Sequence, residues 1–270
     1  MPLAVCATPI GNLEDVTLRV LRELAEADLV LCEDTRHTRG LLDRHGISAR
    51  LLSYHRHNEA QRTAELLPRL GAGERIALVS DAGLPGVNDP GARLIAATLE
   101  AGLPVTVLPG PSAVETALVA GGLAGERYQF LGYLPRGAKA LGALWGELAD
   151  WPHPAVAFES PQRLPATLRS LAAAFPERPV AVCRELTKKF EEVVRGTAEE
   201  VAARFPEAPK GEITLVVGPA ERVGIDRSEA SAAVLELVEA GVPRRQAVDV
   251  VARLARLSRN SLYAESLKKP

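Results

Sequence analysis

The chain has 270 residues, of which 47% are hydrophobic and 24% are charged, and its formal net charge is −2. A chain of this length and hydrophobic content can bury the cores of two or three lobes. The near-neutral charge excludes a protein that binds nucleic acid with its whole surface. No run of eighteen apolar residues and no secretion signal are found, so we expect a soluble cytoplasmic protein with no membrane partner.

Short apolar runs alternate with amphipathic stretches through the first half of the chain. Strands are predicted at residues 3–7, 29–32, 51–53, 76–79 and 105–108. A stretch that starts at Pro90 and stops at Gly102 has the proline-first, glycine-last order typical of a helix. This alternation predicts a mostly parallel α/β domain over residues 1–122.

A small, glycine-rich segment then leads into a second alternating region, predicted as an α/β domain over residues 123–219. Its predicted strands lie at residues 128–131, 155–158, 180–183, 192–195 and 213–217, with helices at about 161–174 and 197–204. Beyond residue 219 only helical patterns remain. The sequence therefore predicts two α/β lobes and a small helical C-terminal region, residues 220–270.

The C-terminal region is basic, with a surplus of five positive charges over residues 242–270. We predict three short helices over residues 226–267, with breaks at Gly241 and Ser258. The second helix should bury an apolar face formed by Ala247, Val250, Val251, Leu254 and Leu257. Arg253, Arg256 and Arg259 would then be exposed and could contact RNA phosphates. The alternative is a tail that caps a lobe or forms a dimer contact.

Three predicted strands of the first domain run into turns rich in glycine and proline. These turns read TPIGNLED, SDAGLPGVNDPG and LPGPSAVETA. Ligands of open α/β sheets collect at the carboxyl ends of the strands, where backbone groups are accessible. The third turn also opens a helix, whose free N–H groups and positive end would face the same place. The pattern predicts a binding cleft at this edge of the sheet.

The usual motifs for other chemistries are missing. The chain has no GxGxxG after its first strand, no GxxxxGK[ST] loop, no HExxH and no GxSxG. Cys6, Cys32 and Cys183 lie in apolar runs, which predicts buried free thiols in a reducing compartment. The five histidines form no metal-binding set.

Nine sequence blocks occur in order across residues 7–217: ATPIGNLEDVTLR, CEDTRHTRGLL, SYHRHNE, LVSDAGLPGVNDPG, LPGPSA, FLGYLPR, FESPQRL, RELTKKFEEVVRGT and PKGEITLVV. Together they resemble a family of bacterial RNA methyltransferases within the tetrapyrrole methylase superfamily. The resemblance implies two α/β lobes with S-adenosylmethionine between them. It also implies 2′-O-methylation of a cytidine in the 16S ribosomal RNA of the small subunit, by a homodimer that uses no metal.

The resemblance and the positions at strand ends together predict which residues form the site. We expect the cosubstrate to be bound by residues of the glycine-rich turns and one later carboxylate: Pro9, Gly11, Ser80, Asp81, Gly83, Gly110, Pro111, Ser112, Ala113 and Glu159. Candidates for catalysis are polar residues just past strands: Glu33, Asp34, Arg36, Lys188 and Lys210. Candidates for RNA contact are Arg36, His37, Arg39, Arg136, Arg253, Arg256 and Arg259. Salt bridges or phosphate contacts are the alternative roles for the catalytic candidates.

Two other functions stay open at this point. Within the same superfamily the substrate could be a tetrapyrrole or another small molecule, although the basic, histidine-bearing blocks EDTRHTR and SYHRHNE favour an anionic polymer. The chain could also be an RNA-binding module with a vestigial cleft. The intact glycine-rich turns argue against that loss of function.

Overall fold

The computed structural model describes residues 2–220, 227–255 and 257–267, except the side chain of Arg227. Residues 1–220 form one compact unit and residues 221–270 form another. The strands are β1 Leu3–Cys6, β2 Leu29–Cys32, β3 Leu51–Ser53, β4 Ile76–Val79, β5 Val105–Leu108, β6 Gln129–Tyr133, β7 Ala155–Glu159, β8 Pro179–Arg184, β9 Glu192–Thr197 and β10 Ile213–Val217. The helices are α1 Leu18–Glu26, α2 Thr35–Arg44, α3 Glu59–Gly71, α4 Ala92–Glu100, α5 Ala113–Ala120, α6 Ala138–Leu148, α7 Leu164–Ala174, α8 Ala198–Arg204, α9 Arg227–Glu239, α10 Arg244–Ala255 and α11 Arg259–Ser266.

The first sheet is parallel throughout and has the strand order β3-β2-β4-β1-β5. Strands β1, β2 and β4 are buried along their whole length, as expected for strands covered by helices on both faces. All five predicted strands are confirmed. Helix α4 starts after Gly91 and not at Pro90 as predicted. The φ of Gly91 is 132°, a backbone conformation that glycine adopts readily and other residues rarely adopt. The carboxyl ends of all five strands meet at one edge.

The second sheet is mixed, with the order β6-β7-β10-β8-β9. Strand β6 runs parallel to β7, and the remaining neighbours are antiparallel. One face packs against α6, α7 and α8 through a large apolar core. The other face packs against α5, whose Val114, Ala117 and Leu118 contact Val156 and Val216. Helix α5 lies within the predicted first domain but packs on the second sheet, so it joins the two lobes.

The helices α9, α10 and α11 pack on one another as a separate apolar cluster. Helix α11 begins after Ser258, as predicted. The predicted apolar face of α10 is partly wrong, because Val248 and Ala252 are buried whereas Leu254 is 70% exposed. The cause is that α10 contacts both α9 and α11, which shifts its buried face toward the side between them. None of the helices in the described ranges has the length and apolarity needed to span a bilayer.

Candidate active site

Two of the glycine-rich turns are hydrogen-bonded to each other at the carboxyl edge of the first sheet. The backbone of Thr8 pairs with that of Gly83 in both directions, at N–O distances of 2.8 and 3.0 Å. The Thr8 hydroxyl also donates to the carbonyl oxygen of Ser80 at 2.9 Å. This pairing fixes the turn after β1 against the turn after β4. The two turns therefore form one continuous wall.

A cavity of about 720 Å³ opens beside this wall, between the first sheet's carboxyl edge and the second sheet. Its volume is in the range typical of small-molecule sites. The first lobe and α5 contribute Ile10, Ala82, Gly83, Leu84, Val87, Asn88, Asp89 and residues 109–115. The second lobe contributes Tyr128, Phe130, Tyr133, residues 158–161, Cys183, Leu186 and residues 211–214.

Six of the ten predicted cosubstrate residues line this cavity: Gly83, Gly110, Pro111, Ser112, Ala113 and Glu159. The other four lie outside its lining. Pro9 and Gly11 flank Ile10, which does line it. Ser80 is buried, and its hydroxyl donates to the carbonyl oxygens of Ala82 and Gly83. The Asp81 carboxylate accepts from the backbone N–H of Asp34 at 3.1 Å. Ser80 and Asp81 thus hold the wall in place, and cosubstrate contact by any of the four residues remains a prediction.

Backbone geometry and packing explain why these positions of the wall are occupied by glycine, in addition to the room that a ligand would need. Gly83 has a φ of 76°, a conformation that L side chains rarely adopt. A Cβ on Gly110 would lie 2.9 Å from the Cβ of Ala7, and one on Gly11 would lie 2.5 Å from Cγ of Lys188. Both distances are too short for carbon atoms. Gly110 and Gly11 are thus required because the turns pack closely against other segments of the same chain, whether or not a ligand is bound.

The N-terminus of α5 faces the cavity, as the sequence predicted, with Ser112 as N-cap. The Ser112 hydroxyl donates to the Glu115 carboxylate, and the Tyr128 hydroxyl donates to the same carboxylate. The hydrogen bonds from Ser112 and Tyr128 outweigh the opposing effect of burial and lower the pKa of Glu115. An ionised carboxylate and free helix N–H groups therefore lie side by side, which suits a ligand that carries both charges.

Glu159 is fully engaged by the protein. Its side chain is completely buried and pairs with Arg163 at 2.5 Å. It also accepts from the Thr167 hydroxyl and from the Ser160 backbone N–H, both at 2.6 Å. A carboxylate with three such partners has little capacity left for a ligand. These contacts favour a structural role for Glu159 in the cavity lining, and its binding of the cosubstrate remains a prediction.

The catalytic candidates after β2 lie at the start of α2. Asp34 caps this helix and forms an exposed ion pair with Arg36 at 2.8 Å. Hydrogen bonds from Arg36 lower the pKa of Asp34 to about 2. Such a weakly basic carboxylate is poorly suited to accept a proton at neutral pH. The side chains of His37 and Arg39 extend into solvent from the same helix, which leaves them accessible to RNA phosphates.

Lys188 lies between two carboxylates, with its ammonium 2.9 Å from both Glu185 and Glu212. These hydrogen bonds outweigh burial and raise the pKa of Lys188, so that it is charged at neutral pH and cannot act as a base. Leu186 and Glu212 line the cavity, and the ion pairs hold their two loops together. Lys210 is exposed, and its carbonyl oxygen accepts from Arg184.

Sequence reasoning missed Asp89, which lines the cavity from the loop between β4 and α4. Burial, followed by the negative charge of Glu33, raises the pKa of Asp89 to about 6. Asp81 adds to this effect, whereas Ser80 and Arg56 oppose it. A carboxylate with this pKa is ionised at neutral pH and is more basic than an ordinary aspartate. The sequence feature that could have identified Asp89 is its position in the SDAGLPGVNDPG turn, which was expected at the cleft.

The remaining RNA candidates are dispersed. Arg136 is exposed in the segment between β6 and α6. In the C-terminal unit, Arg253 is exposed on α10, and Arg259 pairs with Asp249. Arg256 lies outside the described residues. Within the described ranges no group of three or more His, Cys, Asp or Glu side chains could hold a metal ion.

The fold and the cavity define a two-lobed α/β protein with a ligand cleft at strand ends, an arrangement typical of enzymes. The sequence profile of the tetrapyrrole (corrin/porphyrin) methylases matches residues 2–202. The chain belongs to this family and is a methyltransferase, which confirms the expected fold class and enzyme class.

Curated relatives are similar over nearly the whole chain. Ribosomal RNA small subunit methyltransferase I of Mesorhizobium japonicum is 41% identical, with 98% of this chain and 91% of the relative covered. The protein of the same name from Escherichia coli O157:H7 is 40% identical, with 99% and 95% covered. A crystal structure of uroporphyrin-III C-methyltransferase from Thermus thermophilus, complexed with S-adenyl homocysteine, has a similar fold: TM-score 0.55, 19% identity, 80% of this chain and 96% of that one.

Proposed function

We propose that this methyltransferase transfers a methyl group from S-adenosylmethionine to the ribose 2′-hydroxyl of a cytidine in the RNA of the small ribosomal subunit. The observation that carries the proposal is the two-lobed cavity in a chain about 40% identical to rRNA methyltransferases along nearly its whole length. The choice of the 2′-hydroxyl and of cytidine comes from the sequence resemblance alone. The tetrapyrrole alternative shares the fold but not this similarity.

The cavity suits S-adenosylmethionine in its volume and in the nature of its walls. Apolar side chains such as Ile10, Val114 and Leu186 would contact the flat adenine. Glu115 would face the ammonium of the methionine part, and the free N–H groups at the start of α5 would face its carboxylate. When bound, the cosubstrate supplies an electrophilic methyl group on a sulfonium, and the related structure with S-adenyl homocysteine supports its use here.

The chain's own task is to align the ribose oxygen and to accept its proton. Asp89 is assigned that second task, because it lines the cavity from the loop between β4 and α4 and because burial raises its pKa to about 6. Glu33 contributes through its negative charge on Asp89. Asp34 and Lys188 then serve to position loops, and the exposed Arg36 could meet RNA phosphates. This division assigns proton transfer to the first lobe.

RNA contact is proposed for the exposed basic side chains of α2 and for the C-terminal unit. Arg36, His37 and Arg39 are exposed on a helix that starts at the carboxyl edge of the first sheet, the edge that also carries the cavity-lining turns. Arg253 offers an exposed guanidinium on α10. Each arginine can pair with two phosphate oxygens and add affinity without reading sequence. An rRNA substrate also supports the expected location in the cytoplasm.

The homodimer expected from the resemblance is part of the same proposal. Strand β5 lies at an edge of the first sheet, and its Val107 is half-exposed. An apolar side chain on an open sheet edge is consistent with a surface that a second copy covers. Sedimentation velocity at several concentrations measures the assembly, and a monomer at every concentration would refute the dimer.

The function is tested with labelled methyl donor and small ribosomal subunits that lack the modification. We expect label in one alkali-resistant linkage of the RNA, because a 2′-O-methylated ribose cannot support hydrolysis at its own 3′-phosphate. Parallel reactions contain free 16S rRNA and a tetrapyrrole. Label in the tetrapyrrole, or in no RNA linkage, would refute the RNA substrate. Calorimetry with S-adenosylmethionine separates both enzymatic functions from a binding module with a vestigial cleft.

A further inference from the structure

Strand β6 contains a one-residue irregularity that changes the direction of Tyr133. Gln129 and Phe130 pair with Ala155 and Val156 of β7, but Tyr133 pairs with Phe158. Between these pairs β6 advances three residues while β7 advances two. This extra residue is a β-bulge, a feature that turns side chains toward active sites in many proteins.

The bulge places Tyr133 on the cavity side of the sheet. In a regular strand Tyr133 would share a face with Leu131, which packs into the core on the opposite side. The bulge instead puts Tyr133 on the same face as Phe130, and both line the cavity. Gly132 makes this possible with a φ of 65°, and a Cβ there would lie 3.3 Å from Oδ1 of Asn88.

The result is an aromatic side chain held at the mouth of the cavity. The Tyr133 ring meets Phe158 edge to face at 5.6 Å, and Phe158 meets Phe130 in the same way at 5.1 Å. These contacts fix the ring, yet 62% of Tyr133 remains exposed. Core packing therefore does not use most of its surface. A fixed, exposed ring beside a cavity is suited to stack on another flat group.

We propose that Tyr133 is the stacking platform for the nucleobase whose ribose is methylated. This inference rests on the proposed RNA function and adds to it the place of the base. Stacking on an aromatic ring holds a base without reading its hydrogen-bonding edge. The base would lie against Tyr133 at the cavity mouth, and its ribose would extend inward, toward Asp89. Discrimination between bases must then come from other residues.

Three variants at this position separate an aromatic platform from simple apolar contact. With small ribosomal subunits as substrate, we expect Tyr133→Ala and Tyr133→Leu to lower kcat/KM roughly 10- to 100-fold. Tyr133→Phe keeps the ring and should remain within about twofold of wild type. The affinity for S-adenosylmethionine, measured by calorimetry, should not change in any of them. Leu99→Ala, at an exposed apolar site on α4 outside the cavity lining, is the control.

Each other outcome overturns the platform. Full activity in Tyr133→Ala, or in Tyr133→Leu, would show that no aromatic ring is needed. Weaker cosubstrate binding in Tyr133→Ala would assign the ring to the adenine of S-adenosylmethionine. If wild type methylates no RNA, the proposed function fails, whereas active wild type with unaffected variants refutes only the platform. Thermal unfolding of each variant identifies losses due to folding.

Discussion

Asp89 gives the sharpest test of the catalytic assignment, because the same environment affects both stability and activity. Its pKa rises from 3.8 to about 6 in the folded protein. At full strength this shift corresponds to about 3 kcal/mol of destabilisation above pH 6. Asp89 is only partly buried, and solvent screening reduces the effect to about 1 kcal/mol. Asp89→Asn removes the charge with little change in shape.

The sign of the stability effect follows from proton binding. Between pH 4 and pH 6 the folded state holds the Asp89 proton more tightly than the unfolded state does, so wild type loses stability as pH rises. Asp89→Asn should therefore unfold like wild type near pH 3 and be more stable by about 1 kcal/mol at pH 8. Urea denaturation at both pH values measures this difference. Asp43→Asn, at an exposed site on α2, is the control and should show no such gain.

Activity should change in the opposite direction. As a general base, Asp89 must be ionised, so wild-type kcat/KM should fall about tenfold per pH unit below pH 6. Turnover of Asp89→Asn should be lower by about 100-fold or more. Its pH profile should also lack the acid limb, which is the fall in kcat/KM below pH 6. Lys188→Met should keep that limb, since the ammonium is not the base. Asp89→Asn with normal turnover, or a limb that persists in it, would refute the assignment.

Two further predictions concern the wall of the cavity and the C-terminal unit. Gly110→Ala should lower the free energy of unfolding by about 1–3 kcal/mol, because its Cβ would lie 2.9 Å from that of Ala7. Gly142→Ala, with no atom within 4 Å of the added Cβ, is its control in urea denaturation, and equal stability of the two would contradict the packing argument. Arg253→Ala should remove about one phosphate contact with the ribosomal subunit. The slope of log K against log salt concentration should then become less steep by roughly 0.7–0.9. An unchanged slope with altered oligomer size would favour a structural role for the tail.

The sequence alone determined most of the architecture. Hydrophobic periodicity and the glycine and proline positions predicted all ten strands of the described residues, since these signals depend on neighbours a few residues apart. The turns after residues 79 and 108 were correctly expected at a cleft, because the carboxyl ends of parallel strands share one edge of a sheet. The methylase family was likewise readable from nine ordered blocks.

Only the tertiary structure decided which residues of those turns line the cavity and what their chemistry is. Ser80 and Asp81 directly precede residues that line the cavity, yet their own side chains form hydrogen bonds that stabilise the wall. The basicity of Asp89 arises from burial and from Glu33, 56 positions away in the sequence. The direction of Tyr133 depends on pairing with β7. These properties come from groups on other elements, so no local pattern in the sequence could report them.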